Sequence, residues 1–191
     1  MKKLIRFAVT LMLLVSLAAC GSQKQANMTI KPSVFSEETE EVLSLLHDEI
    51  HFFDIKIDDT VKSYNMVLWV YQNGKWEESG RTEGEAKFLG SRIAIRLSKN
   101  GYELYMVDET GNTKFSYPNI DAGFENSIAK GGEIIDREIP LELNKETPIW
   151  VQIGTDTGSM RVGDITDDFR QADCNAGIAV TLTVSDQIVA G

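Results

Sequence analysis

The stretch SYNMVLWVYQNGKWEES, residues 63–79, decides the fold class of this chain. The pair Asn73-Gly74 stands between two apolar runs. Such a pair is the strongest short-range signal for a β-hairpin, because both central positions of the tight turn need a positive φ. We therefore expect two antiparallel strands that are joined at this turn.

Other segments alternate apolar and polar residues. Phe53, Ile55 and Ile57 alternate with charged residues in FFDIKID, residues 52–58, and the same pattern occurs in SRIAIRL, residues 91–97. A period of two residues is typical of a strand with one buried face and one wet face. Further strands are expected in YELYMV (102–107), TKFSY (113–117), REIPLEL (137–143), PIWVQIG (148–154) and GIAVTLTVSD (177–186).

The number of strands indicates the architecture. About nine short strands separated by turn signals predict a mainly β chain, with a single antiparallel β-sandwich and one N-terminal helix. The Cys…Trp…Cys spacing of a true immunoglobulin domain is absent, because Cys174 is the only cysteine after Cys20. The sandwich is therefore immunoglobulin-like at most. Pro140 cannot donate a ladder hydrogen bond, which predicts that its strand lies at an edge or a bulge.

The helix is predicted over SEETEEVLSLLHDEI, residues 36–50. Ser36 is a candidate N-cap, and glutamates fill the first turn, where the helix dipole favours negative charge. Val42, Leu45 and Leu46 recur at helical spacing, as does Glu49 or Ile50, so we expect one narrow apolar stripe to be buried.

The first twenty residues, MKKLIRFAVTLMLLVSLAAC, have the parts of a secretory signal: a basic start, an apolar run and small residues before a cut. The apolar run of 13 residues is shorter than the roughly 20 residues that a spanning helix needs. Leu17-Ala18-Ala19-Cys20 resembles the lipobox of bacterial lipoproteins. The resemblance implies cleavage before Cys20 and a diacylglyceryl group on its sulfur, and two acyl chains hold a protein on a bilayer. The alternative is an ordinary secretory signal that is cleaved off, in which Cys20 occurs by chance and carries no lipid.

Three segments follow from this interpretation: a lipoprotein signal peptide over residues 1–19, the lipidated cysteine and a polar tether over 20–35, and a helix plus β-sandwich domain over 36–191. The resemblance implies a bacterial cell membrane location, with the domain facing the extracytoplasmic side. The chain after Cys20 keeps 16 basic residues against 29 acidic ones, a net charge of −13. This excess argues against nucleic acid as a partner and against charge-driven binding to an anionic membrane.

Trp69, Tyr71 and Trp76 form the candidate ligand platform. If Asn73-Gly74 is a two-residue turn, Tyr71 lies opposite Trp76, and Trp69 shares the face of Tyr71. Flat aromatic rings near a sandwich edge suit stacking on sugar rings or peptide side chains. A central strand that is buried on both faces explains the same residues without a ligand, because the opposite face is apolar too. Trp150 has the same two interpretations.

Metal sites have weaker support. His47 and His51 lie four residues apart, on one face if the helix extends that far, but HDEIH matches the zincin motif only superficially. A glycine-rich loop carries Asp156, Asp164, Asp167 and Asp168, and calcium prefers such oxygen-rich loops. Its spacing matches no EF-hand, so a hydrated acidic loop is the simpler interpretation. We predict no metal site, no cofactor and no catalytic residue.

Cys174 is expected to be a small half-buried side chain.

Three functions remain open. The first is a lipid-anchored envelope domain that binds a glycan, a peptide or a partner protein without covalent chemistry. The second is a hydrolase that uses paired carboxylates, which the many acidic residues neither support nor oppose. The third is a structural accessory subunit of a membrane complex. We favour the binding domain, since no nucleophile elbow, P-loop or dinucleotide fingerprint occurs in the chain.

Overall fold

The computed structural model describes residues 28–45, 49–98, 101–108, 111–118, 120–157 and 168–189. These residues form one α-helix, three 3₁₀ helices of three residues each, and eleven strands that make up two antiparallel sheets. The bounds are β1 Thr29–Pro32, α1 Glu37–Ser44, β2 Glu49–Lys56, β3 Ser63–Gln72, β4 Lys75–Glu85, β5 Arg92–Ser98, β6 Gly101–Asp108, β7 Gly111–Pro118, β8 Ala129–Ile134, β9 Ile139–Pro140, β10 Thr147–Thr155 and β11 Ala176–Ser185. The predicted mainly β sandwich with one helix is confirmed.

The two sheets share one core. The first sheet has the strand order β7-β6-β5-β2-β1-β9, and the second has β4-β3-β11-β10-β8. Alternate residues of the central strands point inward, as the period of two predicts: Phe53 and Ile93 from the first sheet and Val70 and Ile178 from the second are each 0% exposed. Burial of such side chains is the main favourable contribution to the stability of the sandwich.

The Asn73-Gly74 hairpin is confirmed. Asn73 has φ 53° and Gly74 has φ 81°, and Gln72 lies opposite Lys75 across the turn. Positive φ at both central positions matches the twist of the flanking strands, and asparagine and glycine are the residues that adopt it most readily. The turn therefore fixes the register of β3 and β4.

Strand β1 lies within the segment that was predicted to be a tether, residues 20–35. It pairs with β2 on one side and β9 on the other, and Ile30 is 0% exposed between Ile55 and Ile139. The tether prediction is therefore wrong for Thr29–Pro32. Four residues with one central isoleucine are too few to show a period, so their pairing with distant strands was not visible in the sequence.

Helix α1 begins where the sequence predicts and ends earlier. Ser36 is the N-cap, and its hydroxyl accepts a hydrogen bond from the backbone N–H of Thr39 at 3.4 Å. The predicted buried stripe is wrong for Val42 and Leu45, which are 61% and 72% exposed. Ile50 belongs to β2, so the helical spacing that was counted through it does not hold. Leu46 lies outside the described residues.

Strands β8 and β9 differ most from the expected pattern. None of the expected strands covers residues 119–133, yet Ala129–Ile134 pair with β10. The long strand expected over residues 137–143 shrinks to Ile139–Pro140, which pairs only with β1 among the described strands. The prediction that Pro140 lies in an edge strand is confirmed, since β9 is the last strand of its sheet.

Candidate functional site

One side of the sandwich carries a groove, where β8 ends the second sheet and β9 ends the first. The groove has a volume of about 510 Å³ and is lined by residues 133–137, 139–140, 142 and 145–148. We call it the edge groove. Ile134, Ile139 and Pro148 give it apolar walls, and charged side chains surround them.

The connection between β8 and β9 positions this lining. Ile135 is 6% exposed, and its N–H donates to the carbonyl of Ile149 at 3.3 Å. This contact holds the connection against the core. Asp136 and Arg137 follow immediately, and each side chain is 78% exposed. The buried isoleucine therefore places a charged pair at the rim of the edge groove.

A second hollow of about 470 Å³ adjoins the edge groove and shares Ile134, Ile135 and Asp136 with it. The other walls are mostly apolar side chains from α1, from the segment before it and from β2, namely Phe35, Leu43, Ile50 and Phe52. Phe35 packs edge-on against Phe52, with ring centroids 5.1 Å apart. The two hollows together form one surface with apolar walls along the side of the sandwich.

Three of the four carboxylates that line the edge groove contact cations. Glu142 lies 2.7 Å from the ammonium of Lys145, and Glu146 lies 2.8 Å from the guanidinium of Arg170. Asp136 lies 3.3 Å from its neighbour Arg137. A carboxylate hydrolase needs one acid and one carboxylate facing each other across the substrate. These contacts join carboxylates to cations, so they supply no support for such a facing pair.

His51 does not lie on the helix. It belongs to β2, where its imidazole Nε2 lies 3.4 Å from a carboxylate oxygen of Glu49 and its ring centroid lies 5.9 Å from that of Trp150. His47 lies outside the described residues. A third hollow, of about 270 Å³, is lined by His51 and Trp150 together with residues of β8. Trp150 is 3% exposed and belongs to the core.

The acidic loop is described only at its two ends. Asp156 follows β10, and Asp168 accepts a hydrogen bond from the side-chain amide of Gln171 at 2.6 Å. Asp164 and Asp167 lie outside the described residues. Among the residues that the structure describes, no three histidine, cysteine or acidic side chains lie close enough together to hold a metal ion.

The structure brings the predicted aromatic platform together. Tyr71 lies opposite Trp76, with ring centroids 5.6 Å apart in an edge-to-face arrangement, and Trp69 lies on the same face. Phe169, however, is 0% exposed and packs edge-on against Trp76 at 4.8 Å. The three platform residues are half-buried, so their rings are partly covered by the protein itself.

Phe169 and Arg170 are the residues of this cluster that sequence reasoning missed. The guanidinium of Arg170 lies 4.3 Å from the ring centre of Trp69 and 4.3 Å from that of Phe169. Glu146 holds the guanidinium in place, and it also accepts a hydrogen bond from Thr181 at 2.9 Å. A lone phenylalanine in a polar stretch has no period, so nothing in the sequence indicated this contact.

Cys174 is half-buried, as predicted. Burial, with a smaller contribution from the charge of Asp173, raises the pKa of its thiol to about 11. The thiol is therefore protonated at neutral pH, and a protonated thiol is a poor nucleophile and metal ligand.

None of the helices that the structure describes is both long enough and apolar enough to cross a membrane. Leu17-Ala18-Ala19-Cys20 lie outside the described residues. No family model, curated protein or solved structure matches the chain. The edge groove and the chemistry of its lining are therefore the basis for a functional assignment.

Proposed function

We propose that this protein is a bacterial lipoprotein whose β-sandwich binds an extended, basic peptide segment of a partner protein at the extracytoplasmic face of the membrane. The edge groove carries the binding half of this proposal. It combines apolar walls with a charged rim, and its volume of about 510 Å³ lies within the usual range for ligand sites, roughly 300–1,000 Å³. The lipobox-like sequence at Cys20 carries the anchoring half.

Charge favours a basic partner. Four acidic and two basic residues line the edge groove, and the chain after Cys20 has a net charge of −13. A field of one sign raises the association rate of partners with the opposite sign and disfavours partners with the same sign. Exposed ion pairs such as Asp136 with Arg137 contribute little energy, so their carboxylates remain available to a ligand.

The shape favours a peptide over a glycan. The adjoining hollow offers the apolar side chains of Phe35 and Leu43, which suit the apolar residues of a partner segment. A glycan platform would need exposed ring faces, and Phe169 packs against the ring of Trp76 that would have supplied one. A subunit of a membrane complex is one source of such a segment.

We expect Asp136→Lys to weaken the binding of basic peptides by roughly tenfold at low salt, because the change replaces an attraction at the rim with a repulsion. Ten-residue synthetic peptides that alternate lysine with leucine or valine are the probe, and fluorescence anisotropy gives the dissociation constant. Glu125→Lys is the matched control. It makes the same change of charge at an exposed site in the Phe124–Asn126 turn, which is not part of the groove lining.

An equal loss in both variants would mean that net charge alone attracts the peptides. Binding that is unchanged in Asp136→Lys, or absent in the unmodified protein, would refute the edge groove as the peptide site. Glutamate-containing peptides of the same length should bind at least tenfold more weakly than the lysine-containing ones.

Labelled fatty acid tests the anchor. In cells grown with the label, we expect incorporation into the wild-type protein and into Cys174→Ala, and none into Cys20→Ala. Cys174→Ala is the matched control, because it removes the other cysteine of the mature chain. Equal label in Cys20→Ala and the wild type, or a wild-type protein found entirely in the medium, would contradict the lipid anchor. The protein would then be an ordinary secreted domain.

A further inference from the structure

The described chain begins at one end of the sandwich. Thr29 lies opposite Lys56 in β2 and opposite Pro140 in β9, so β1 starts where β2 ends. Eight peptide steps separate Cys20 from Met28. A chain reaches at most about 3.6 Å per residue, so an anchor at Cys20 holds Met28 within roughly 29 Å of the lipid. The tether is short enough for the domain to touch the bilayer.

Two exposed apolar side chains lie at this same end. β2 ends at Lys56 and β3 begins soon after, at Ser63, whose neighbours across the sheet are Glu85 and Ser185. Phe88 follows β4 and is 58% exposed, and Ile188 follows β11 and is 75% exposed. Both side chains therefore stand where the strands next to β3 end.

Lysines accompany these apolar residues. The ammonium of Lys87 lies 4.8 Å from the ring centre of Phe88, and Lys62 hydrogen-bonds with its backbone N–H to the carbonyl of Ser185 at 2.7 Å. An aromatic ring with a neighbouring lysine suits the boundary between lipid headgroups and acyl chains, because the stem is apolar and the charged head reaches water. We call Lys62, Lys87, Phe88 and Ile188 the base.

Acidic residues at this end bear on whether charge or apolar contact would bind the base to lipid. Glu85 pairs with Lys87 at 2.9 Å, Asp59 accepts a hydrogen bond from Lys62 through its carbonyl, and Asp186 accepts one from Asn144. The charge of Lys87 is thus offset by Glu85, and the carboxyl groups of Asp59 and Asp186 add negative charge at the same end. Any contact with lipid must come from the apolar side chains rather than from attraction to anionic headgroups.

We propose that the base rests on the lipid surface, with Phe88 and Ile188 in the boundary between headgroups and acyl chains. This inference rests on the proposed anchor at Cys20. Two apolar side chains alone bind a bilayer weakly, but a short tether makes the contact intramolecular and raises the effective concentration of lipid at the base. The opposite end of the sandwich then points away from the membrane, about 30 Å further along the ten residues of β11.

Brominated lipid tests the orientation. Phe88→Trp and Ile128→Trp each add one tryptophan at an exposed apolar position, and Ile128 lies at the opposite end, where its N–H donates to the carbonyl of Thr155. Each full-length variant is extracted from membranes and reconstituted into phosphatidylcholine vesicles with brominated acyl chains. The quenching measured for the unmodified protein, which has Trp69, Trp76 and Trp150, is subtracted.

We expect the added fluorescence of Phe88→Trp to be quenched at least threefold more than that of Ile128→Trp, with little change between 50 and 500 mM salt. Flotation of the vesicles is measured in the same samples. Flotation with equal quenching, or with stronger quenching of Ile128→Trp, would overturn the orientation and leave the anchor intact. Protein that fails to float with the vesicles would overturn both the anchor and the orientation.

Discussion

A chain that begins at residue 36 is expected to lose cooperative thermal unfolding, whereas a chain that begins at residue 28 is expected to keep it. The difference between them is residues 28–35, which contain β1 and the three residues before the N-cap Ser36. Without β1, the backbone groups of β2 and β9 that pair with it lose their hydrogen bonds. The space that the fully buried side chain of Ile30 fills is also left empty. The measurement is differential scanning calorimetry of both chains.

Ile30→Ala isolates the packing contribution. We expect this substitution to lower the free energy of unfolding by about 2–5 kcal/mol, as truncation of a buried isoleucine does. Lys31→Ala is the control, because Lys31 is exposed and its substitution should change stability by no more than about 0.5 kcal/mol.

The truncation has its own contradicting outcome. If the chain that begins at residue 36 unfolds cooperatively, at the same midpoint temperature as the chain that begins at residue 28, β1 is dispensable.

The second large effect concerns Trp76. We expect Trp76→Ala to lower the free energy of unfolding by about 3 kcal/mol, because the indole packs against Phe169 and against the backbone of Gly177. A Cβ atom at Gly177 would lie 2.5 Å from the indole ring, which shows how closely the ring approaches β11. Urea denaturation gives the measurement.

Two variants control this experiment. Trp76→Phe keeps an aromatic ring and removes an indole N–H that has no hydrogen-bond partner among the described residues, so its cost should be smaller. Lys75→Ala, at the neighbouring exposed position, should be nearly neutral. A change in Trp76→Ala below about 0.5 kcal/mol would restore the ligand platform as its main role.

Local chemistry explains what the sequence could predict. The turn at Asn73-Gly74, the N-cap at Ser36 and the alternation around Phe53 each depend on residues that are neighbours in the chain. Such signals need no knowledge of distant partners. The hairpin, the start of the helix and the inward face of β2 were therefore predictable.

Long-range contacts explain the rest. Strand β8 has two adjacent glycines and no alternation, so only its pairing with β10 makes it a strand. Phe169 gains its role from strands that lie far away in the sequence. The edge groove likewise forms where two sheet edges meet the connection that contains Ile135, and no single segment encodes it.

Pro140 also bears on crowding. If the proposed lipid anchor is present, copies of the protein diffuse in two dimensions and collide side to side, which favours the joining of exposed sheet edges into polymers. The first sheet ends in a strand of two residues, and one of them has no N–H to offer a neighbouring molecule. A colliding copy finds no ladder to extend there, so this edge resists self-association even at high surface density.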